Sequence, residues 1–285
     1  MTQLPLLAEK SKDRSNLFRI AGLYIVQGIP IGFGFESIPT LLRHEGTSLN
    51  VLMLVHLIGL PWVLNFLWAP YVENHWNERL GRRRSWILPM QLGLVIVFLA
   101  LAFIPFEPGN AVIIFILVMT ASFFAATQDI AVDGLAADII PSQKLVSANA
   151  VQYSGLVFGM LIGGAGVLIV YDILGLSYTM LVLAIIVFCL LVPTFLWQEP
   201  IKVNQADAVR AKIGAFFKRP NALWVLWLGL IATLSGTTLY SLWRLILVDF
   251  GWSPGQIGLY SSVGYTGFMM IGSFFYYASN KLCRH

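Results

Sequence analysis

The chain has 285 residues, of which 58% are hydrophobic and 11% charged, with a formal net charge of +4. A soluble domain carries about 25% charged residues, so this composition cannot build a water-facing surface and excludes a soluble fold. The basic residues lie between apolar runs and form no aromatic-interleaved face, which argues against nucleic acid and makes the lipid bilayer the surrounding medium.

The apolar runs are about 20 residues long, enough at 1.5 Å per residue to cross a hydrocarbon core of roughly 30 Å. In chain order they predict an all-α integral membrane fold with spans over 18–39, 51–72, 86–106, 111–137, 146–170, 177–197, 222–247 and 256–279. The polar, basic residues 1–17 read as a cytoplasmic tail. The run after them is too long for a signal peptide and lacks a small-residue cleavage site, so it reads as a retained first helix. With the N-terminus inside, every Lys and Arg except Arg43 and Arg244 falls on the inner side, as the positive-inside rule requires.

The longest polar stretch, 198–221, reads as a central cytoplasmic loop. It separates a six-helix bundle (18–197) from the first two helices of a second bundle (222–285). Gly46, Ser48 and Gly59 recur at constant spacing as Gly251, Ser253 and Gly264. Parallel repeats of six helices are a feature of the major facilitator fold. On that plan the chain reads as truncated, with about 8 of 12 helices; a genuine eight-helix protein and a non-transporting remnant are the alternatives.

Ionisable groups at mid-span cost roughly 2.5 to 3.5 kcal/mol each on insertion scales, so they need partners or a water-filled cavity. The fourth span carries Gln128, Asp129, Asp133 and Asp138. Asp129 and Asp133, four residues apart, share a helix face. Two carboxylates so close either pair with cations or share a proton, which makes them candidates for proton coupling or substrate contact. The structural alternative is that they tie the helix to Arg79, Arg82, Arg83 or Arg84. Glu36 and Arg244 fall near the outer ends of the first and seventh spans and are candidates for an outer gate, or else reach the outer interface independently.

Gln27, Tyr24, Gln152 and Tyr153 are uncharged candidates for lining a cavity. Gly155, Gly159 and Gly163 recur every four residues, followed by Gly164 and Gly166, and predict close helix packing. Pro30, Pro39, Pro61 and Pro193 predict bent helices. His56 is a lone histidine within the second span.

Cys189 and Cys283 supply neither a disulfide framework nor zinc-ligand spacing, so no metal or cofactor is expected. No nucleophile triad or phosphate-cradling loop occurs in the sequence, so an enzyme is not expected.

Four segments carry a family resemblance: Gly22-Leu-Tyr-Ile-Val-Gln-Gly-Ile-Pro30, Pro61-Trp-Val-Leu-Asn-Phe-Leu-Trp-Ala-Pro70, Gly81-Arg-Arg-Arg-Ser-Trp86 and Thr127-Gln-Asp-Ile-Ala-Val-Asp-Gly134. Together they resemble the major facilitator branch of AmpG muropeptide permeases, acetyl-CoA transporters and RhtX/FptX siderophore permeases. The stretches Ile38–Gly46 and Arg84–Leu92 look most like the siderophore permeases. The resemblance implies a secondary transporter of the bacterial inner membrane that imports a siderophore or its iron complex by alternating access, driven by protons. Muropeptide is the alternative solute.

It further implies a gating loop between the second and third spans, with either Glu73 or Glu78 as the acid facing Arg82, Arg83 and Arg84. The expected sites are then Gln27, Gln128, Asp129, Asp133 and Gln152 for substrate or coupling. Glu36, Arg244, Glu73, Glu78, Arg82, Arg83, Arg84 and Asp138 are the expected gates.

Overall fold

Each of the first six apolar runs forms a membrane-length helix in the computed structural model, which describes residues 3–141, 144–199, 210–212, 214, 217–261 and 264. These are α1 (Ser15–His44), α2 (Leu49–Leu67), α3 (Arg84–Leu101), α4 (Pro108–Ile139), α5 (Ser147–Leu174) and α6 (Leu176–Leu196). A further helix, α7, runs over Ala222–Asp249, and residues 254–261 begin α8. Most of the rest of the eighth predicted span, residues 200–209, the His56 side chain and the terminus bearing Cys283 lie outside the described residues. No strand occurs among those described. Regular helix begins already at Gln3, so the segment read as a tail continues into α1.

The helices are less uniform than their composition suggests. In α1 the turn after Pro30 widens into a π-helical segment, Phe33–Ser37, before α-geometry resumes at Ile38. A matching π segment, Ile162–Gly166, interrupts α5, and the two lie against each other. A π turn displaces backbone carbonyls from their usual donors. Here the Ser37 hydroxyl donates to the carbonyls of Gly163 (2.8 Å) and Gly164 (3.0 Å). The second span, expected to bend at Pro61, is largely 3₁₀ over Met53–Gly59 and Asn65–Leu67. Pro61 and Pro70 bring no backbone N–H to the ladder there, and the Ser122 hydroxyl takes up the Ile58 carbonyl at 2.5 Å.

The glycine stripe of α5 packs on α1. A Cβ at Gly159 would overlap the Ile25 carbonyl oxygen, one at Gly163 that of Ile29, and one at Gly28 that of Leu156. These backbones approach as closely as small residues permit. Gly159→Val is expected to lower stability by at least 1 to 3 kcal/mol, read as a lower melting temperature in detergent. Gly22→Val, on the same helix pair but with open space around it, should change it little.

The short repeat corresponds to one turn made twice. Gly46 and Gly251 close α1 and α7 with φ of +84° and +81°, the left-handed region that glycine enters without strain. Thr47 N donates to Leu42 O (2.9 Å) as Trp252 N does to Leu247 O (3.1 Å). Ser48 and Ser253 then open the following helices.

Buried apolar side chains fill the bundle in two groups. One surrounds Phe33, Leu94, Phe98, Ile114 and Met180; the other surrounds Ile20, Leu23, Ile87, Val132 and Leu135. Ile96, Phe103, Ile185 and Phe195 point outward from the bundle, where lipid solvates them.

Candidate functional site

Three polar constellations interrupt this apolar interior, the first at the crossing of α1, α4 and α5. The first lies toward the end of α4 that carries Asp138. Gln152 of α5 donates to the Tyr24 hydroxyl of α1 (2.9 Å), and that hydroxyl in turn donates to Asp133 of α4. Gln128 reaches the Leu23 carbonyl at 3.4 Å, while its own oxygen has no partner among the described residues. Gln27, one turn from Leu23 on α1, is fully buried, and neither of its amide atoms has a partner among the described residues. Asp129 sits one turn from Asp133, and among the described residues no cation lies within ion-pair distance of either.

Two turns of structure thus gather five expected site residues near one helix crossing, with Tyr24 as the link. Tyr153, by contrast, is exposed.

The second constellation lies at the opposite end of the bundle, on the side of the Gly46 and Gly251 turns. Arg244 is fully buried, and its Nη2 lies 3.1 Å from Oε2 of Glu36, itself 2% exposed. The Glu36 carboxyl lies within the π segment of α1, and a Cβ at Gly164 would overlap it. The guanidinium also lies over the Trp243 ring at 4.7 Å, and its Nε approaches Ser261 of α8 at 3.3 Å. Further contacts surround the pair: Arg43 Nε to Asp249 (2.7 Å), the Tyr171 hydroxyl to Glu45 (2.8 Å) and the Ser253 hydroxyl to Asp172 (2.7 Å). Together these bind α7 and the start of α8 to α1 and α5. None of these three was visible in the sequence, because each joins residues at or next to helix ends whose proximity only the packing determines.

The third constellation lies at the end of α4 that carries Asp138, beside the loop between α2 and α3. Glu73 is shared by Arg82 and Arg83, each at 2.5 Å, and Arg83 Nε meets Asp138 at 2.8 Å. Of the two candidate acids, Glu73 therefore faces the arginines, whereas Glu78 is exposed on the loop. Burial works against the Arg83 charge, but Asp138 and Glu73 outweigh it and hold its pKa above that of free arginine. The Arg84 guanidinium turns away and donates to the Phe195 carbonyl (2.7 Å).

Sequence reasoning missed Glu199, whose carboxylate accepts from the backbone N–H groups of Arg83 (2.9 Å) and Arg84 (3.1 Å) at the start of α3. Burial pushes this carboxyl upward in pKa, against the pull of those N–H groups. Gly134 leaves the space that the Arg83 guanidinium occupies.

The four sequence segments quoted above meet here. Trp68 Nε1 donates to Thr127 (3.1 Å), Tyr24 binds Asp133, and Arg83 lies against Gly134. Membrane-length helices with ion pairs at both ends and polar groups between them make this a multi-pass membrane protein.

Residues 16–173 match the family model described as acetyl-coenzyme A transporter 1, and the chain belongs to that family. It is 28% identical to the anhydromuropeptide permease of Escherichia coli K12 over 256 residues, covering 87% of this chain and 51% of the relative. A putative transporter AmpG 4 of Rickettsia felis is 27% identical, over 85% of this chain and 62% of the relative. An uncharacterized membrane protein of Saccharomyces cerevisiae is 33% identical over 169 residues, 52% of this chain and 30% of the relative. The chain thus spans about half the length of the curated relatives it matches.

Proposed function

We propose that this chain belongs to an inner-membrane importer that carries an anhydromuropeptide-type solute by alternating access, coupled to protons, with its N-terminus in the cytoplasm. The observation that carries the reading is the buried Glu36–Arg244 pair. It closes the outer side beyond a polar cluster of Tyr24, Asp129, Asp133 and Gln152, an arrangement suited to a carrier loaded from one side at a time. Gln27, Gln128 and Gln152 offer amide donors and acceptors to sugar hydroxyls and peptide groups, and Asp129 with Asp133 carries the coupling proton. Glu36 with Arg244 forms the outer gate. Glu73, Arg82, Arg83 and Asp138 form the inner one, with Arg84 and the exposed Glu78 at its edge.

The names of the relatives move the preferred solute from a siderophore to a muropeptide. Cells lacking their own permeases and expressing this chain are expected to take up labelled anhydromuropeptide and not radioiron-loaded siderophore. Uptake of the siderophore alone would return the solute to the chelator class, and uptake of neither would contradict transport.

A further inference from the structure

The loop between α6 and α7 does not simply trail through solvent. The Asn74 side chain, at the inner end of the α2 region, donates to the Ala211 carbonyl (2.9 Å) and accepts from the Ala211 N–H (2.8 Å). Such a two-point clamp fixes both the position and the direction of the strand of chain around Ala211. A second anchor follows, in which the Phe217 ring packs edge-on against Phe66 of α2, with centroids 6.4 Å apart. Phe66 belongs to a membrane-spanning segment, so Phe217 marks the depth at which the loop meets the bilayer.

The cations beside these anchors are exposed: Arg210 and Lys212 flank the clamped Ala211, and Lys218 and Arg219 follow Phe217 directly. Among the described residues no carboxylate lies within ion-pair distance of any of the four, whereas Arg82 and Arg83 on the neighbouring loop are matched by Glu73 and Asp138. Helix α7 begins at Ala222, and its first turns expose Trp224 and Trp227, residues that favour the headgroup level of a bilayer.

We propose that Arg210, Lys212, Lys218 and Arg219 form a binding surface for the headgroups of acidic phospholipids, held at headgroup depth by the Asn74 clamp and Phe217. Four cations fixed at that depth, with no carboxylate partner among the described residues, call for anionic partners, and the acidic lipids of the surrounding leaflet present them at high local concentration. The inference does not depend on which solute is carried.

Amide hydrogen exchange of the whole chain in nanodiscs tests it. Exchange over 210–219 is expected to be slower in phosphatidylcholine containing phosphatidylglycerol than in phosphatidylcholine alone. The difference should vanish at about 1 M salt, where charges are screened within roughly 3 Å. Arg210→Gln, Lys212→Gln, Lys218→Gln and Arg219→Gln, added in turn, should each reduce the protection up to roughly fivefold, with exchange in α3 and α4 unchanged as the control for folding. Asn74→Ala should loosen the segment in phosphatidylcholine and reduce, without abolishing, the protection that phosphatidylglycerol adds, because the Phe217 anchor remains. Equal exchange in the two lipids would overturn the proposal, as would equal protection by soluble glycerol phosphate in phosphatidylcholine discs.

Discussion

Asp129→Asn is expected to abolish accumulation of solute against a gradient while leaving counterflow between preloaded vesicles intact. Asparagine keeps the size and most of the hydrogen-bonding shape of the side chain, and removes its ability to gain and lose a proton. The neighbourhood makes Asp129, rather than Asp133, the sharper test. Asp133 is engaged by the Tyr24 hydroxyl, which Gln152 holds in turn, so replacing it also disturbs the crossing of α1, α4 and α5. No such bond ties Asp129 among the described residues. Loss of accumulation with counterflow preserved would separate coupling from binding; unchanged accumulation would remove Asp129 from the coupling role, and loss of both activities would assign it to solute binding or to the fold.

The second large effect concerns Glu36 and Arg244. Both are buried, and a buried charge stripped of its partner costs roughly 3 to 5 kcal/mol. Glu36→Gln and Arg244→Gln should therefore each destabilise the outward-closed state strongly. The double variant should be less affected than either single one, since no unmatched buried charge remains. Thermal unfolding in a fixed detergent reads the stability, and labelling from the outer face reads the closure. Additive losses would mean that the two side chains do not act as a pair.

The larger features of the fold were legible because they follow from one physical demand. Backbone groups in hydrocarbon must be bonded internally, so uninterrupted apolar runs had to become helices, and α1 to α6 begin and end within about five residues of their predicted places, with regular helix extending back from α1 to Gln3. The close packing of Gly155, Gly159 and Gly163 was likewise legible, since that spacing puts small residues on one face, whereas α1 as the partner comes from the structure. Glu36 and Arg244 were noticeable as rare ionisable groups at similar depth, although only the structure places them within 3.1 Å.

What escaped the sequence depends on geometry between elements. The π segments of α1 and α5 have the same apolar and glycine composition as the α-helix around them, and only their mutual packing with Ser37 makes the extra residue tolerable. Glu73 and Glu78 were equivalent as letters; the direction in which the chain leaves residue 74 turns one toward the arginines and the other into solvent. Glu199 gave no signal, because its partners are backbone N–H groups more than a hundred positions away. The weak Gly46/Gly251 repeat, by contrast, proved to be the trace of a repeated helix-ending turn.

The central claim is that the outer side must open for solute to enter. It is tested most directly by bridging α1 to α7 at the surface pair, where Arg43 Nε lies 2.7 Å from Asp249. With Arg43→Cys and Asp249→Cys joined by a short bifunctional thiol reagent, uptake of labelled anhydromuropeptide is expected to stop and to return when the bridge is reduced. Uptake that continues unchanged across a fully formed bridge would contradict the account.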